Sequence, residues 1–486
     1  MNYYIGIDLG TTNIKCVVYD EDGNPVGSAS IPSEITYLQN GFVEQNAENW
    51  YTDTCATIKK AVDEAGINAG DVKALSISSQ GITIVPVDEK FTALAKAINW
   101  MDLRAESQAG ALQKTFGESC IQKITGKRSA TSAYSLPKIM WLRENEPAAF
   151  ADAAWFLMPS DFVTARLTGT VVTDYTMAAG SLAFDVFQKK WCKALLDFAG
   201  ISEEQLPVVR KTGSVEGTIN EESARLSGLS QGCLVVVGGQ DQKIAAYGAG
   251  LTEDSATFSM GTCGAFEIMT HSTVSSKGCG LTLCPYITED KYVLEGCINA
   301  FGGAIDWIKK LMFFDKDYAE MNESVAAAAP GSNGVTFSVF PAGRGTPYRG
   351  HLDEKAAIQG LHLGTEKKDI LRALYEGLGY ECRMNLEEAA GCGLEIHSLR
   401  AFSGGVKNRE LCRIITDIIG IPMTRIEYSE IGTLGAAKTA MSGYGMRTDF
   451  FGSNLLERTE VLTPGRNKTV YDRLFDTYRK SQSIYI

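Results

Sequence analysis

The chain has 486 residues, a formal charge of −12 from 46 Lys and Arg against 58 Asp and Glu, and 44% hydrophobic residues; this is too long for one core and points to two soluble globular domains of about 200–250 residues each. The acidic balance argues against nucleic acid or an anionic membrane surface as the main partner. Twelve scattered Cys without a CxxC and only 4 His do not fit a zinc site or a disulfide framework, and neither a basic leader nor an apolar run of about 20 residues is seen, so a cytoplasmic protein with reduced cysteines is expected.

Strand and helix patterns alternate along the chain, which gives an α/β class. Tyr3–Ile7, Ile14–Tyr19 and Pro25–Ile31 read as a three-strand meander, and Ala47–Ala65 as an amphipathic helix. Val72–Ser78 and Ile82–Val87 read as strands around Ser79-Gln80-Gly81, followed by helices at Asp102–Phe116, Ser160–Thr168 and Trp191–Gly200. An apolar strand from Val235 runs into Gly238-Gly239-Gln240-Asp241-Gln242 and a helix. A second strand, Gly-Thr turn and returning strand then appears at Ala256–Met269. The helix Lys367–Ala390, the strand Ser398–Ser403, Gly404-Gly405, a helix at Asn408–Ile419, a strand at Met423–Ile426 and a helix at Ser429–Met441 complete the pattern. Two similar domains, 1–247 and 248–486, are the simplest reading of this near-duplication.

Five places carry chemistry. Asp8-Leu9-Gly10-Thr11-Thr12 at a hairpin tip offers amides and hydroxyls to a phosphate and a carboxylate to a metal, with Gly10 expected to allow close approach and a positive φ; an ordinary Gly-Thr turn is the other reading. Asp241, between Gln240 and Gln242, is either a general base for an attacking hydroxyl or a helix N-cap; the flanking amides suit a polyol. Gly261-Thr262 repeats the first hairpin turn. Gly404-Gly405 and Asn408 either present backbone to a nucleoside or make a tight strand-to-helix turn. Trp100 and Asp102, with Arg104, either hold a sugar face or start a helix near a core Trp.

The ordered segments DLGTT (Asp8–Thr12), EQNAENW (Glu44–Trp50), WMDLR (Trp100–Arg104), PKIMWL (Pro137–Leu142), GGQDQ (Gly238–Gln242), MGTCG (Met260–Gly264), IQGLHLGTEKKDILRALYE (Ile358–Glu376) and SGGVKN (Ser403–Asn408) resemble the FGGY family of carbohydrate kinases over nearly the whole chain. The resemblance implies two ribonuclease-H-like domains of the actin/Hsp70/hexokinase type, with ATP and a sugar or polyol in a cleft between them. It implies that Asp241 is the catalytic base and that Asp8 serves Mg²⁺, through water. Gly10, Thr11, Thr12, Lys15, Gly261 and Thr262 are then matched to the phosphates, Gly303 to the nucleotide, and Gly404, Gly405 and Asn408 to adenosine. Gln80, Gly81, Trp100, Asp102 and Gln242 are matched to the sugar. Asp306 stands where some members carry Gln. Gly81-Ile82 stands where xylulose kinases usually carry Met-His and glycerol kinases Arg-Glu, a departure from both that, with Gln240-Asp241-Gln242, looks more like the polyol and ketose branch and disfavours glycerol. The resemblance as a whole implies a ketose or sugar alcohol as substrate, a pentulose such as xylulose first. Family analogy allows a homodimer. The rivals are a non-kinase ATPase switch and a sugar sensor on the same fold.

Overall fold

Residues 3–9, apolar apart from Gly6 and Asp8, form strand β1 (Tyr3–Leu9), buried along most of its length. It turns at Gly10–Thr12 into β2 (Asn13–Tyr19), which pairs back antiparallel, and β2 pairs antiparallel with β3 (Pro25–Pro32). The helix α1 (Ala47–Ala65) follows, its Trp50, Tyr51 and Ile58 buried. Each such side chain contributes roughly 1.5–3 kcal/mol on burial. Gly66, left-handed at φ 63°, ends α1, a conformation that favours glycine. Strand β4 (Val72–Ser79) then lies parallel to β1. Two later strands, β5 (Val215–Thr218) and β6 (Leu234–Gln240), complete a six-stranded sheet of order β5-β6-β4-β1-β2-β3. Strand β6, parallel to β4, feeds directly into α2 (Asp241–Gly248).

The computed structural model describes residues 1–271, 279–288, 290–347, 354–449, 451–457 and 459–481. Their contacts divide them into one unit of Met1–Gly248, Leu283–Tyr292 and Glu430–Asn454 and another of Ala249–Thr282, Val293–Ser429 and Leu455–Ile486. The units are therefore not two contiguous halves. The helix Ile431–Gly443 packs on β1 and α2 of the first unit. Glycines permit that approach: a Cβ on Gly6 would lie 1.8 Å from the Thr433 carbonyl oxygen, and one on Gly435 2.1 Å from that of Ile244.

In the second unit β7 (Ser255–Met260) and β8 (Gly264–Thr270) form the repeated hairpin, followed by β9 (Tyr292–Ile298) and α3 (Gly302–Met312). The long helix α4 (Lys367–Gly391) is buried over most of its length. Strand β10 (Ser398–Phe402) lies parallel to β7. Helix α5 (Arg409–Ile419) packs on α4; β11 (Met423–Arg425) and β12 (Glu460–Leu462) follow, and six consecutive strands of a seven-stranded sheet run in the order β9-β8-β7-β10-β11-β12. Both units thus centre on an antiparallel hairpin, β1-β2 or β7-β8, whose first strand has a parallel neighbour, β4 or β10. The near-duplication seen in the sequence is a duplication of this sheet. The α/β class and the ribonuclease-H-like arrangement hold.

Two expected elements differ. The strand at Ile82–Val87 shrinks to Val85–Val87 because Ile82 sits at φ 72°, a left-handed conformation outside the β region. The helix expected at Asp102–Phe116 begins only at Glu106; non-helical angles at Gly117 (φ 74°, ψ 158°) break it after Phe116, and a further helical stretch runs to Thr125. Asp102 instead accepts from the amides of Val43 (2.5 Å) and Arg104 (2.8 Å) and ties down the turn before the helix.

Candidate active site

In the first unit, parallel strands β1, β4 and β6 end on the same side of the sheet, so their last residues lie close together. Leu9 faces Ser79, and Ser79 faces Gln240 in register. The Gln80 amide donates to the Leu9 carbonyl at 3.0 Å, continuing the pairing past the strand end. Asp8, Gln80 and Asp241 are therefore delivered by three neighbouring strands.

Asp8 is partly buried at the tip of β1. The Ser78 hydroxyl donates to its Oδ1 at 3.2 Å, and Lys15 is its partner across the hairpin. Burial, the largest influence, pushes its carboxyl up to about 6, with Lys15 and Ser78 pulling it down and Glu430 pushing it up. The Lys15 ammonium is engaged by Glu430 at 3.0 Å.

The hairpin tip is organised by side chains as much as by backbone. The Thr11 hydroxyl donates to Gln80 Oε1 at 3.0 Å and accepts from Trp100 Nε1 at 3.0 Å. Gln80 Nε2 donates to Gln45 Oε1 (3.1 Å), which also accepts from Asn99 Nδ2 (2.9 Å). Thr11, matched to phosphate in the sequence, thus shares a network with Gln80 and Trp100, matched to the sugar; Thr12 is exposed. Gln45, in the EQNAENW segment, and Asn99, directly before Trp100, join the site through contacts that their sequence positions do not announce. Gly10 has no positive φ; a Cβ there would come within 3.0 Å of the Asn13 carbonyl oxygen, so close backbone approach alone selects glycine.

Trp100 is 36% exposed and offers an indole face. Asp102 is fully buried. Its carboxylate binds the Val43 amide and the amide and guanidinium of Arg104, and Arg104 lies over Phe42 and Trp141. This pair braces the loop, and Asp102 lacks the exposure to meet a substrate. Gly81 is buried, with Gln240 and Met177 as its neighbours.

Asp241 opens α2. Its Oδ1 accepts from the Gln240 side-chain amide and, at 2.7 Å, from the Gln242 N–H, which also donates to Gln240 Oε1 at 3.1 Å. The Gln-Asp-Gln triplet is therefore one hydrogen-bonded unit that fixes the orientation of the carboxylate. Such a carboxylate can accept a proton from an approaching hydroxyl.

The second unit carries a different surface. Gly261 and Thr262 form the β7-β8 tip, with Thr262 exposed. Their carbonyls accept from the first amides of α3: Gly302 N to Gly261 O at 3.0 Å and Gly303 N to Thr262 O at 3.1 Å. Asn408 caps α5, accepting from the Leu411 amide at 3.0 Å, and its Nδ2 donates to the Tyr375 hydroxyl at 2.9 Å. Gly404 and Gly405 differ. A Cβ on Gly405 would strike Met260 at 2.7 Å, whereas one on Gly404 would meet nothing within 4 Å. Gly405 serves packing, and Gly404 leaves open backbone for a ligand. Ser403, the first residue of the SGGVKN segment, sits at φ 74°, ψ −173°, a region occupied essentially by glycine alone. Strain of that kind collects at ligand sites, and only backbone angles reveal it.

No helix among the described residues is long and apolar enough to cross a membrane. The model of the FGGY family of carbohydrate kinases, N-terminal domain, matches residues 3–248, and that of the C-terminal domain matches residues 256–444. A xylulose kinase of Bacillus subtilis (strain 168) is 27% identical over 485 residues, covering 99% of this chain and 96% of that protein. The crystal structure of ligand-bound xylulose kinase from Lactobacillus acidophilus matches with a TM-score of 0.90 at 23% identity, over 100% of this chain and 98% of that one. Plasmodium falciparum glycerol kinase with ADP matches with a TM-score of 0.90 at 25% identity, over 99% and 98%.

Proposed function

The chain belongs to the FGGY family of carbohydrate kinases, and on that premise we propose that it transfers the γ-phosphoryl group of ATP to a primary hydroxyl of a pentulose in the cytoplasm, with xylulose the first substrate to test. The observation that carries this reading is the Gln240-Asp241-Gln242 unit at the end of β6, a carboxylate held by amide donors beside the Gln80–Trp100 network. The substrate follows from the xylulose kinases of Bacillus and other bacteria that match along most of the chain. Membership in a kinase family sets aside the ATPase switch.

In this reading Asp241 accepts the proton of the attacking hydroxyl, leaving an oxygen nucleophile aimed at phosphorus. Gln242, Gln80 and the Trp100 face bind and orient the sugar. Thr12, Gly261 and Thr262 hold phosphate oxygens, Gly303, Gly404 and Asn408 receive the nucleoside, and Lys15 offsets phosphate charge. Phosphoryl transfer is mostly positioning and electrostatics, so one aligned carboxylate with charge stabilisation suffices. Asp8 fits magnesium: burial disfavours its charged form, a cost that a dication offsets, and magnesium keeps most of its waters and takes one or two carboxylates. When bound, Mg²⁺ would neutralise charge on the phosphate oxygens.

The test is ADP release from purified protein and Mg-ATP over a panel of pentuloses, hexuloses and polyols. A pentulose, xylulose first, is expected to raise ADP release well above background. If none of the panel does so, the proposal fails.

A further inference from the structure

Beneath the end of β6 lies a buried pair that the mechanism above does not use. Asp174, 1% exposed, ends the strand Val172–Asp174 and caps the helix Tyr175–Ala179. Its carboxylate accepts from the amides of Thr176 (3.0 Å) and Met177 (2.9 Å) and from the hydroxyls of Thr176 (2.8 Å) and Thr212 (2.7 Å). Capping accounts for the two amide bonds. It does not account for the hydroxyls, nor for what Thr176 does next. The Thr176 hydroxyl, whose only proton goes to Asp174, accepts from the main-chain N–H of Gln240 at 2.8 Å.

One hydroxyl therefore joins an immobilised carboxylate to the peptide group one residue before Asp241, and the Gln240 side chain in turn donates to Asp241 Oδ1. The sequence makes room for this link. A Cβ on Gly239 would stand 2.7 Å from Thr176 Oγ1 and 3.1 Å from Asp174 Oδ2. Thr176 itself is 3% exposed, so water does not compete for the bond. A strand end held from below by a fixed acceptor cannot drift, and a misplacement of about 1 Å at a reacting group can cost about 100-fold in rate.

We propose that Thr176, oriented by Asp174, is a positioning residue that sets the height and angle of Asp241. This rests on the reading of Asp241 as the base. Steady-state kinetics on the sugar that elicits ADP release test it. Thr176→Val, close to isosteric, is expected to lower kcat by about 10- to 100-fold with KM for sugar and ATP within about 2-fold; Thr176→Ser, which restores the hydroxyl, recovers kcat to within about 3-fold. Gly239→Ala, whose methyl displaces that hydroxyl, reproduces the kcat loss from the opposite partner and serves if the valine variant does not fold. Parental kcat in folded Thr176→Val or Gly239→Ala, with Asp241→Asn inactive, overturns the positioning role and leaves Asp241 as base. A serine variant as slow as the valine variant also overturns it. Turnover retained in Asp241→Asn removes the premise itself.

Discussion

The two hairpin tips, Asp8–Asn13 and Ser259–Gly264, come from the same sheet position in the two units and differ in what they carry. Gly10 and Thr11 correspond to Gly261 and Thr262, but Asp8 corresponds to Ser259. Each of these residues meets a serine at the end of the neighbouring parallel strand: Asp8 accepts from Ser78 at 3.2 Å, and Ser259 shares a hydrogen bond with Ser403 at 3.1 Å. The scaffold contact is duplicated, while the charge stands on one tip only. The Thr11 hydroxyl is enclosed in the Gln80–Trp100 network. Thr262 is exposed, and its carbonyl is braced by α3. Duplication supplies two similar turns, and side-chain differences leave a carboxylate and an enclosed threonine on one and an exposed, uncharged threonine on the other.

The largest effect should come from the first unit. Asp241→Asn is expected to lower kcat by about 100- to 10,000-fold, the range of a general base, while ATP binding followed by calorimetry stays within about 3-fold. Substantial turnover in this variant would remove the asymmetry in catalytic charge.

Asp8→Asn comes next and separates the tips by charge. We expect kcat/KM to fall by about 100-fold and the magnesium requirement to rise. The pH profile gives a second signature. With its carboxyl pushed up to about 6, Asp8 loses its charge as pH falls through that value, so kcat/KM should drop on that acid limb and the limb should disappear in Asp8→Asn. Stability has the opposite sign. A carboxyl whose folded value lies above its unfolded one binds the proton more tightly when folded, so its stabilisation is present at low pH and is lost as pH rises from about 4 to about 6. Asp8→Asn should therefore melt at a higher temperature than the parent at pH 8 and show no gain at pH 4. Equal melting at both values would contradict the burial argument.

The sequence made the hairpins, α1, the β6-to-α2 turn and their order along the chain legible, because apolar periodicity and Gly-Thr turns are local signals. Asp102 shows where such signals stop. As part of Trp-Met-Asp-Leu-Arg it reads equally as a sugar ligand or a helix start, and only the distant Val43 amide and the stacking of Arg104 on Phe42 and Trp141 reveal a brace. Gln45 and Thr176 were hidden for the same reason: their partners lie 35 and 64 residues away. Ile82 and Ser403 carry strain in backbone angles that their residue types do not announce. The return of Ile431–Gly443 to the first unit depends on glycine contacts across nearly the whole chain, beyond any local pattern.

On the second tip the expected effects are smaller and fall on nucleotide binding. Thr262→Ala should raise KM for ATP by about 10-fold, the loss of one hydrogen bond to a charged group, with KM for sugar unchanged. The corresponding Thr11→Ala removes the partner of both Gln80 and Trp100 and should raise KM for sugar instead. A shared phenotype would mean that the tips have not diverged.

The smallest effect isolates backbone strain beside each tip. The strands next to β1 and β7 both run into a Gly-containing turn with a non-glycine residue at positive φ, Ile82 at 72° and Ser403 at 74°. Ser403, with ψ −173°, occupies a conformation that costs roughly 1–3 kcal/mol for a residue with a Cβ. Ser403→Gly removes that cost, loses the hydroxyl contact to Ser259 and adds chain entropy to the unfolded state, so a net stabilisation of about 1 kcal/mol is expected. Ser403→Ala loses the same hydroxyl but keeps the Cβ and the strain, and should be slightly destabilised. The glycine and alanine variants thus differ in sign, and denaturant melts read the difference directly. Ile82→Gly should not show the gain, because the partly buried side chain that it removes reaches toward Gly180, and the lost burial offsets the relieved strain. A stabilised Ile82→Gly or a destabilised Ser403→Gly would show that the two turns store strain differently from their backbone angles.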